Sequence, residues 1–245
     1  MRLPCLVLAG GLGTRMRPST DCIPKSLLPI AGKPFVHWQL SWLASQGIER
    51  VIFSIGHLGE QIEIAVGDGG AWGLSVEYVR DGQHLLGTGG AVRQAIDSTS
   101  LPAFLVLYGD SYLQASIPQV EAAFHAAGRP ALMTVWHNQG RWDASNAHYA
   151  DGRVTRYGKG KYADADMAYV DYGLLVFEAG AITERVGTGQ KADLADVCTD
   201  LSLHGLLAGF EVTECFYEIG SKGGLTDLRR FLGDPAQGPS RRNDA

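Results

Sequence analysis

The 245-residue chain has little of what marks the specialised protein classes. Its four cysteines, Cys5, Cys22, Cys198 and Cys215, are widely scattered. None forms a Cys-x-x-Cys pair or lies near a histidine at zinc spacing, so neither a disulfide framework nor a zinc ribbon is expected. The seven histidines show no metal-ligand spacing of their own. No stretch approaches the roughly 20 apolar residues of a membrane span. The segment Met1 to Leu8 lacks the long apolar region and small-residue cleavage site of a signal peptide, so a cytoplasmic protein with no membrane association is expected. An excess of positive charge is also missing. The net charge is −5, and the overall field does not favour nucleic acid. What remains, 45% apolar and 19% charged residues, is ordinary for a globular protein. Repeats and long linkers are absent, so residues 1–233 are expected to form a single domain. Residues 234–245, rich in Pro, Gly, Ser, Asn and Asp, are expected to be a disordered tail.

Strand and helix patterns alternate along the chain. Leu3–Ala9, Arg50–Ile55, Ser75–Val79, Ala103–Tyr108, Ala131–Trp136, Tyr169–Phe177 and Phe210–Tyr217 read as strands. Pro34–Gln46, Gly59–Val66, Gly89–Ile96, Pro118–Ala127, Leu194–Leu207 and Leu225–Phe231 read as helices. Asn146–Tyr149 and Arg153–Tyr157, joined at Asp151-Gly152, predict a hairpin. The first half therefore predicts a mostly parallel sheet, and the middle a more antiparallel insertion.

After the first strand comes Leu8-Ala-Gly-Gly-Leu-Gly-Thr-Arg-Met-Arg17. Glycines allow close backbone approach to a phosphate, and their N–H groups can form an anion nest. The loop lacks the Gly-Lys-Ser/Thr of a P-loop. Read as Gly-x-Gly-x-x-Gly from Gly11, its third position is Met16. Alone, it fits a ligand site or a tight turn equally. Pro24-Lys-Ser-Leu-Leu-Pro-Ile-Ala-Gly-Lys-Pro34 follows. Together, Leu8 to Pro34 resembles the signature of the sugar-1-phosphate nucleotidyltransferases, which carry Ala-Gly-Gly-x-Gly-Thr-Arg and then Pro-Lys-x-x-x-Pro-x-x-Gly-Lys-Pro. The resemblance extends over about residues 3 to 231. In look the chain is nearest to the small bacterial guanylyltransferases acting on heptose or mannose 1-phosphate.

The resemblance implies an α/β, Rossmann-like (GT-A-like) three-layer fold with a mixed, mostly parallel sheet and a small antiparallel insertion. It also implies transfer of a nucleoside monophosphate from an NTP to a sugar 1-phosphate. Leu8, Ala9, Gly10, Gly11, Gly13 and Thr14 would hold the nucleotide, and Arg15 the leaving pyrophosphate. Lys25 would sit near the attacking and α-phosphates. The cluster Gly87, Thr88, Gly89 would hold base and ribose, with Gln83 either reading a base edge or lying in a surface loop.

Asp110, in Tyr108-Gly109-Asp110-Ser111, resembles the family's Gly-Asp metal ligand at a strand's carboxyl end; its other reading is a helix N-cap. Glu218, in Tyr217-Glu218-Ile219-Gly220-Ser221, resembles the acid of a late Asp-x-Gly-Thr motif. Here Glu replaces Asp, Ser221 replaces Thr, and Lys222 stands where Pro is common. The implied cofactor is Mg²⁺ on Asp110 and Glu218.

Tyr108, Asn146, Lys159 and Asp171 are the sugar-phosphate candidates, Lys159 as the phosphate lysine. Asn146 and Asp171 fit sugar-hydroxyl contacts or turn positions equally. Trp136, Trp142 and Tyr149 fit pocket lining or packing equally. Gly158 stands where relatives carry a sugar-contacting Glu, which leaves the sugar open. It also keeps open a cytidylyltransferase for phosphocholine or another phosphomonoester. A non-catalytic binding subunit is the alternative outside enzymes, and Arg15, Lys25, Asp110 and Glu218 weigh against it. The oligomeric state, a homodimer included, is not legible.

Overall fold

The computed structural model describes residues 2–82, 85–140, 144–159 and 164–233. The expected tail, 234–245, lies outside them. The first apolar run forms β1 (Cys5–Leu8). A short hairpin, β2 (Pro29–Ile30) and β3 (Lys33–Pro34), leads into α1 (Phe35–Ser45). Strand and helix then alternate: β4 (Arg50–Ile55), α2 (Gly59–Val66), β5 (Ser75–Arg80), α3 (Gly87–Thr99) and β6 (Ala103–Tyr108). The chain continues through β7 (Ser111–Tyr112), α4 (Ile117–Ala127), β8 (Ala131–His137), β9 (Ala147–Ala150), β10 (Arg153–Tyr157) and β11 (Tyr169–Glu178). It ends in α5 (Ala179–Thr183), α6 (Leu194–Leu203), β12 (Leu207–Glu211), β13 (Tyr217–Glu218) and α7 (Lys222–Gly233).

Nine strands form one sheet in the order β5-β4-β1-β6-β11-β8-β12-β10-β9. β5, β4, β1 and β6 are mutually parallel. β11 runs antiparallel between β6 and β8, and β12 is parallel to β8. The β9–β10 hairpin adds to the far edge. Its turn, Asp151 and Gly152, takes φ of 51° and 72°, the double left-handed geometry for which Asp-Gly is suited.

Alternation along the strands divides the apolar side chains between two faces. Cys5, Val7, Phe53, Leu105 and Leu107 pack with α1, α2 and α4 on one face. Leu6, Ile52, Phe104 and Val106 pack with α3, α5 and α6 on the other. The result is the expected three-layer α/β fold. A third, smaller core gathers Met16, Leu28, Ile30, Phe35, Tyr217, Ile219, Leu225 and Leu228 beneath the carboxyl end of the sheet. Among the described residues, no helix is long and apolar enough to cross a membrane.

Two expected elements are corrected. The helix predicted for Leu194–Leu207 stops at Leu203, because Gly205 turns left-handed at φ 67° and Leu206 N–H closes onto Leu201 O at 2.8 Å. The strand predicted for Phe210–Tyr217 is split: Leu207–Glu211 pairs with β8, and only Tyr217–Glu218 returns to strand, against β7.

Candidate active site

The site is built on the carboxyl ends of parallel strands. The loop after β1 and the Gly109-Asp110 turn after β6 meet closely. Gly109 N–H donates to Leu8 O at 2.9 Å, and a Cβ at 109 would lie 2.6 Å from that oxygen. On the other side, a Cβ at Gly10 would come within 3.1 Å of Gly56 N, after β4. Gly13 turns left-handed at φ 62°, and the Thr20 hydroxyl donates to its carbonyl at 2.8 Å. The following 3-10 turn, Thr14–Met16, sinks Met16 into the third core and leaves Arg15 exposed.

Two clefts open here and share Tyr108 and Asp110 as a common wall. The first is lined by Leu8 to Gly11, Lys25, Asp81, Gly87 and Thr88. The second is lined by Arg15, Asn146, Lys159, Asp171, Glu218 and Ser221. The predicted nucleotide residues thus gather on one side of Asp110 and the predicted sugar-phosphate residues on the other. Arg15 faces the second cleft, and Gly13 and Thr14 form the loop's turn rather than its wall. Gly89 packs against the start of α6, where a Cβ would lie 3.0 Å from Asp193 C. Gln83 and Trp142 lie outside the described residues.

At the junction, Lys25 Nζ donates to Asp110 Oδ2 at 2.9 Å. β13 pairs with β7 so that Glu218 stands opposite Ser111, and Ile219 N–H holds Asp110 O at 2.9 Å. The Ser221 hydroxyl donates to Glu218 Oε1 at 3.1 Å. The free Glu218 Oε2 and the Lys25-bound Asp110 Oδ2 face one small space: a Cβ on Gly220 would meet them at 2.7 Å and 3.3 Å. Among the described residues, no cluster of three or more His, Cys, Asp or Glu is found. A pair of carboxylates with room left for water and phosphate oxygens is the donor set that suits Mg²⁺.

In the second cleft, Lys159 Nζ lies 5.8 Å from the Tyr108 ring centre and 5.9 Å from that of Tyr157, a cation–π arrangement. Asp171 accepts from Gly173 N–H at 3.0 Å and from the Tyr157 hydroxyl at 3.3 Å. Its own N–H donates to Asn146 Oδ1 at 2.8 Å. Burial pushes the Asp171 carboxyl above its ordinary range, while the Lys159 ammonium and these donors pull it back. Burial likewise pushes the Tyr108 phenol well up. Trp136 is buried in the first core; Tyr149 packs edge-on against Tyr169. Thr88 donates to Asp193 Oδ1 and accepts from Leu194 N–H, each at 2.9 Å, so it braces α3 against α6 while it lines the first cleft.

Two residues escaped the sequence reading. Gln39, 1% exposed in α1, donates through Nε2 to Tyr108 O at 3.0 Å and to Ser111 O at 2.8 Å, clamping the turn that carries Asp110. A polar residue among the apolar positions of α1 was its only signal. Asp81 follows β5 and lines the first cleft. An acid just past a strand's carboxyl end could have marked it.

Known proteins resemble the chain along most of its length. The family described as MobA-like NTP transferase domain matches residues 5–237. An N-acetylmuramate alpha-1-phosphate uridylyltransferase of Neisseria meningitidis is 41% identical over 108 residues, 44% of this chain and 47% of that protein. A mannose-1-phosphate guanylyltransferase of Mycobacterium tuberculosis is 39% identical over 195 residues, 79% of this chain and 53% of that protein. The chain thus spans about half the length of these relatives. In fold it matches a structure from Bacillus anthracis described as a glucose-1-phosphate thymidylyltransferase, with a TM-score of 0.82, 18% identity, and coverage of 94% of this chain and 95% of that one.

Proposed function

This chain belongs to the MobA-like NTP transferase domain family, and on that premise we propose that it transfers a nucleoside monophosphate from an NTP to a sugar 1-phosphate. The observation that carries the proposal is the pair of clefts meeting at Asp110. A donor and an acceptor, each ending in phosphate, would meet where that wall and Lys25 stand.

An oxygen of the sugar 1-phosphate attacks the α-phosphorus. A new P–O bond forms, the bond from the α-phosphorus to the oxygen bridging to the β-phosphate breaks, and its electron pair leaves with pyrophosphate. The attacking oxygen is already anionic at neutral pH, so no general base is required. What the protein must supply is alignment and relief of repulsion between anions. The glycine loop offers backbone N–H groups to the triphosphate. Arg15, which lines the second cleft together with Asp110, would hold the leaving pyrophosphate with its planar fork. Lys25 sits where the attacking and α-phosphates converge. Lys159, steadied between two tyrosine rings, anchors the sugar phosphate. Asp110 and Glu218 would hold Mg²⁺, which when bound neutralises phosphate charge. Such substrates would be met in the cytoplasm.

The test is pyrophosphate release from a panel of NTPs, each paired with sugar 1-phosphates and with phosphocholine. Release with at least one sugar 1-phosphate pair is expected. Release with phosphocholine alone would favour the phosphomonoester reading, and none with any pair would favour a binding subunit.

A further inference from the structure

Asp110 stands between two partners. Lys25 reaches it from the first cleft, and Glu218 faces it from the second. Both meet the same oxygen. Lys25 Nζ donates to Asp110 Oδ2 at 2.9 Å, and that Oδ2 shares with Glu218 Oε2 the space beside Gly220. An oxygen that serves an ammonium and a divalent cation at once brings like charges close together, and they repel.

The three groups differ in freedom. Asp110 is held through its carbonyl, which accepts from Ile219 N–H at 2.9 Å, and Gln39 clamps the carbonyls of Tyr108 and Ser111 around it. The Glu218 carboxylate is pinned by the Ser221 hydroxyl at 3.1 Å. That hydroxyl accepts in turn from Gly224 N–H at 3.0 Å, in the first turn of α7. Lys25 is fixed at its root, where its carbonyl accepts from Leu28 N–H at 3.0 Å and the neighbouring Ser26 is buried. Beyond the root run four methylenes to an ammonium with three rotatable donors. Gly10 and Gly11 line the same cleft as Lys25, so a phosphate held by their loop offers that ammonium a second anion. Two rigid carboxylates and one movable cation are the makings of an exchange.

We propose that Lys25 and Mg²⁺ compete for Asp110 Oδ2, and that the ammonium yields this oxygen when a triphosphate in the first cleft receives it. Lys25 therefore opposes the metal alone and favours the metal together with its nucleotide. The carboxylate pair then takes up a divalent cation as part of a metal–triphosphate complex rather than by itself.

The inference rests on the transfer reading for its choice of metal and nucleotide, and binding separates the two. Mg²⁺ alone is added to the unaltered full chain, to Lys25→Ala and to Lys25→Met, and its affinity is read from the rise in melting temperature with concentration. The magnesium complexes of GTP, UTP, CTP and dTTP are then titrated by calorimetry with no acceptor present. Both variants should bind Mg²⁺ alone at least about tenfold tighter than the unaltered chain, because the competing charge is gone. Both should bind the favoured magnesium–triphosphate complex at least about tenfold weaker, because a phosphate has lost its charged donor. These opposite signs are the signature of exchange. Lys25→Met keeps most of the stem and decides the matter if the alanine variant does not fold. Weaker or unchanged binding of Mg²⁺ alone in the variants makes Lys25 a support for the carboxylates and overturns the inference. Tighter binding of Mg²⁺ with unchanged binding of the complex shows that the ammonium does not pass to a phosphate, and also overturns it. Pyrophosphate release by the unaltered chain decides the transfer reading separately, and either of these two results leaves that reading standing when release is seen. No binding of Mg²⁺ or of any complex, with no release, overturns both.

Discussion

Lys25 and Asp110 are an ion pair at 2.9 Å, with side chains 18% and 29% exposed. A pair this wet contributes little to stability, about 0–1 kcal/mol. In the proposed reaction its value lies in keeping a cation and a carboxylate side by side where the phosphates would meet. Lys25→Ala should therefore lower turnover by about 10²–10³-fold, as loss of one preorganised charge does, and leave the melting temperature nearly unchanged. Pyrophosphate-release kinetics and a thermal melt check this; unaltered turnover would remove Lys25 from the reaction. Gly220 makes a second single-residue case. Its φ is not among the left-handed glycines, so the backbone accepts alanine there. The added methyl, though, would stand 2.7 Å from Glu218 Oε2 and 3.3 Å from Asp110 Oδ2. Gly220→Ala should push the two carboxylates apart, raise the Mg²⁺ concentration needed for half-maximal rate, and cut turnover about a hundredfold, the scale of an ångström-sized misplacement. A variant with the normal Mg²⁺ response would show that the two acids do not act together.

Elements act on the site through what they hold in place. α1 contributes Gln39, whose amide bridges the carbonyls on either side of the Gly109-Asp110 turn. Gln39→Leu keeps the volume but leaves two carbonyls unpaired, at a cost of about 1–3 kcal/mol each. It should lower the melting temperature and also weaken the Mg²⁺ response, since Asp110 would lose its support. A melt shift with normal Mg²⁺ dependence would make Gln39 structural only. The same contrast explains what was readable. β1, β4 and β6 were legible because continuous apolar runs of that length fit buried parallel strands. The glycine loop and the Pro-Lys segment were singled out by their resemblance to a family signature, and both line the first cleft. Gln39 was not, because its partners, Tyr108 and Ser111, lie far away in sequence, and Asp81 was passed over although it stands just past a strand end. The end of α6 was misjudged because apolar residues continue to Leu207, and only the left-handed Gly205 divides helix from strand. β13 was misplaced because two residues carry no periodicity, and their pairing is set by β7.

At the scale of the molecule, three of the residues proposed to react, Arg15, Lys25 and Glu218, are flanked by the small third core. Met16 lies beside Arg15 in the chain, Leu28 three positions after Lys25, and Tyr217 and Ile219 on either side of Glu218; all four belong to that core. α7 closes it with Leu225 and Leu228, and Arg229 Nη2 ties the helix to Pro29 O at 3.1 Å. A small cluster at the edge of a domain can open while the central sheet stays intact. Loss of one buried leucine side chain costs about 2–5 kcal/mol, a larger share of what holds a small cluster than of what holds the sheet. Leu228→Ala should therefore abolish activity at a temperature several degrees below the one at which far-UV circular dichroism reports unfolding. Leu175→Ala, fully buried in the central strand β11, should instead lower both midpoints together. Activity and dichroism recorded over the same temperature ramp distinguish the cases. Coincident midpoints in the Leu228 variant would mean that the third core melts only with the whole molecule, and that Arg15, Lys25 and Glu218 share the stability of the sheet.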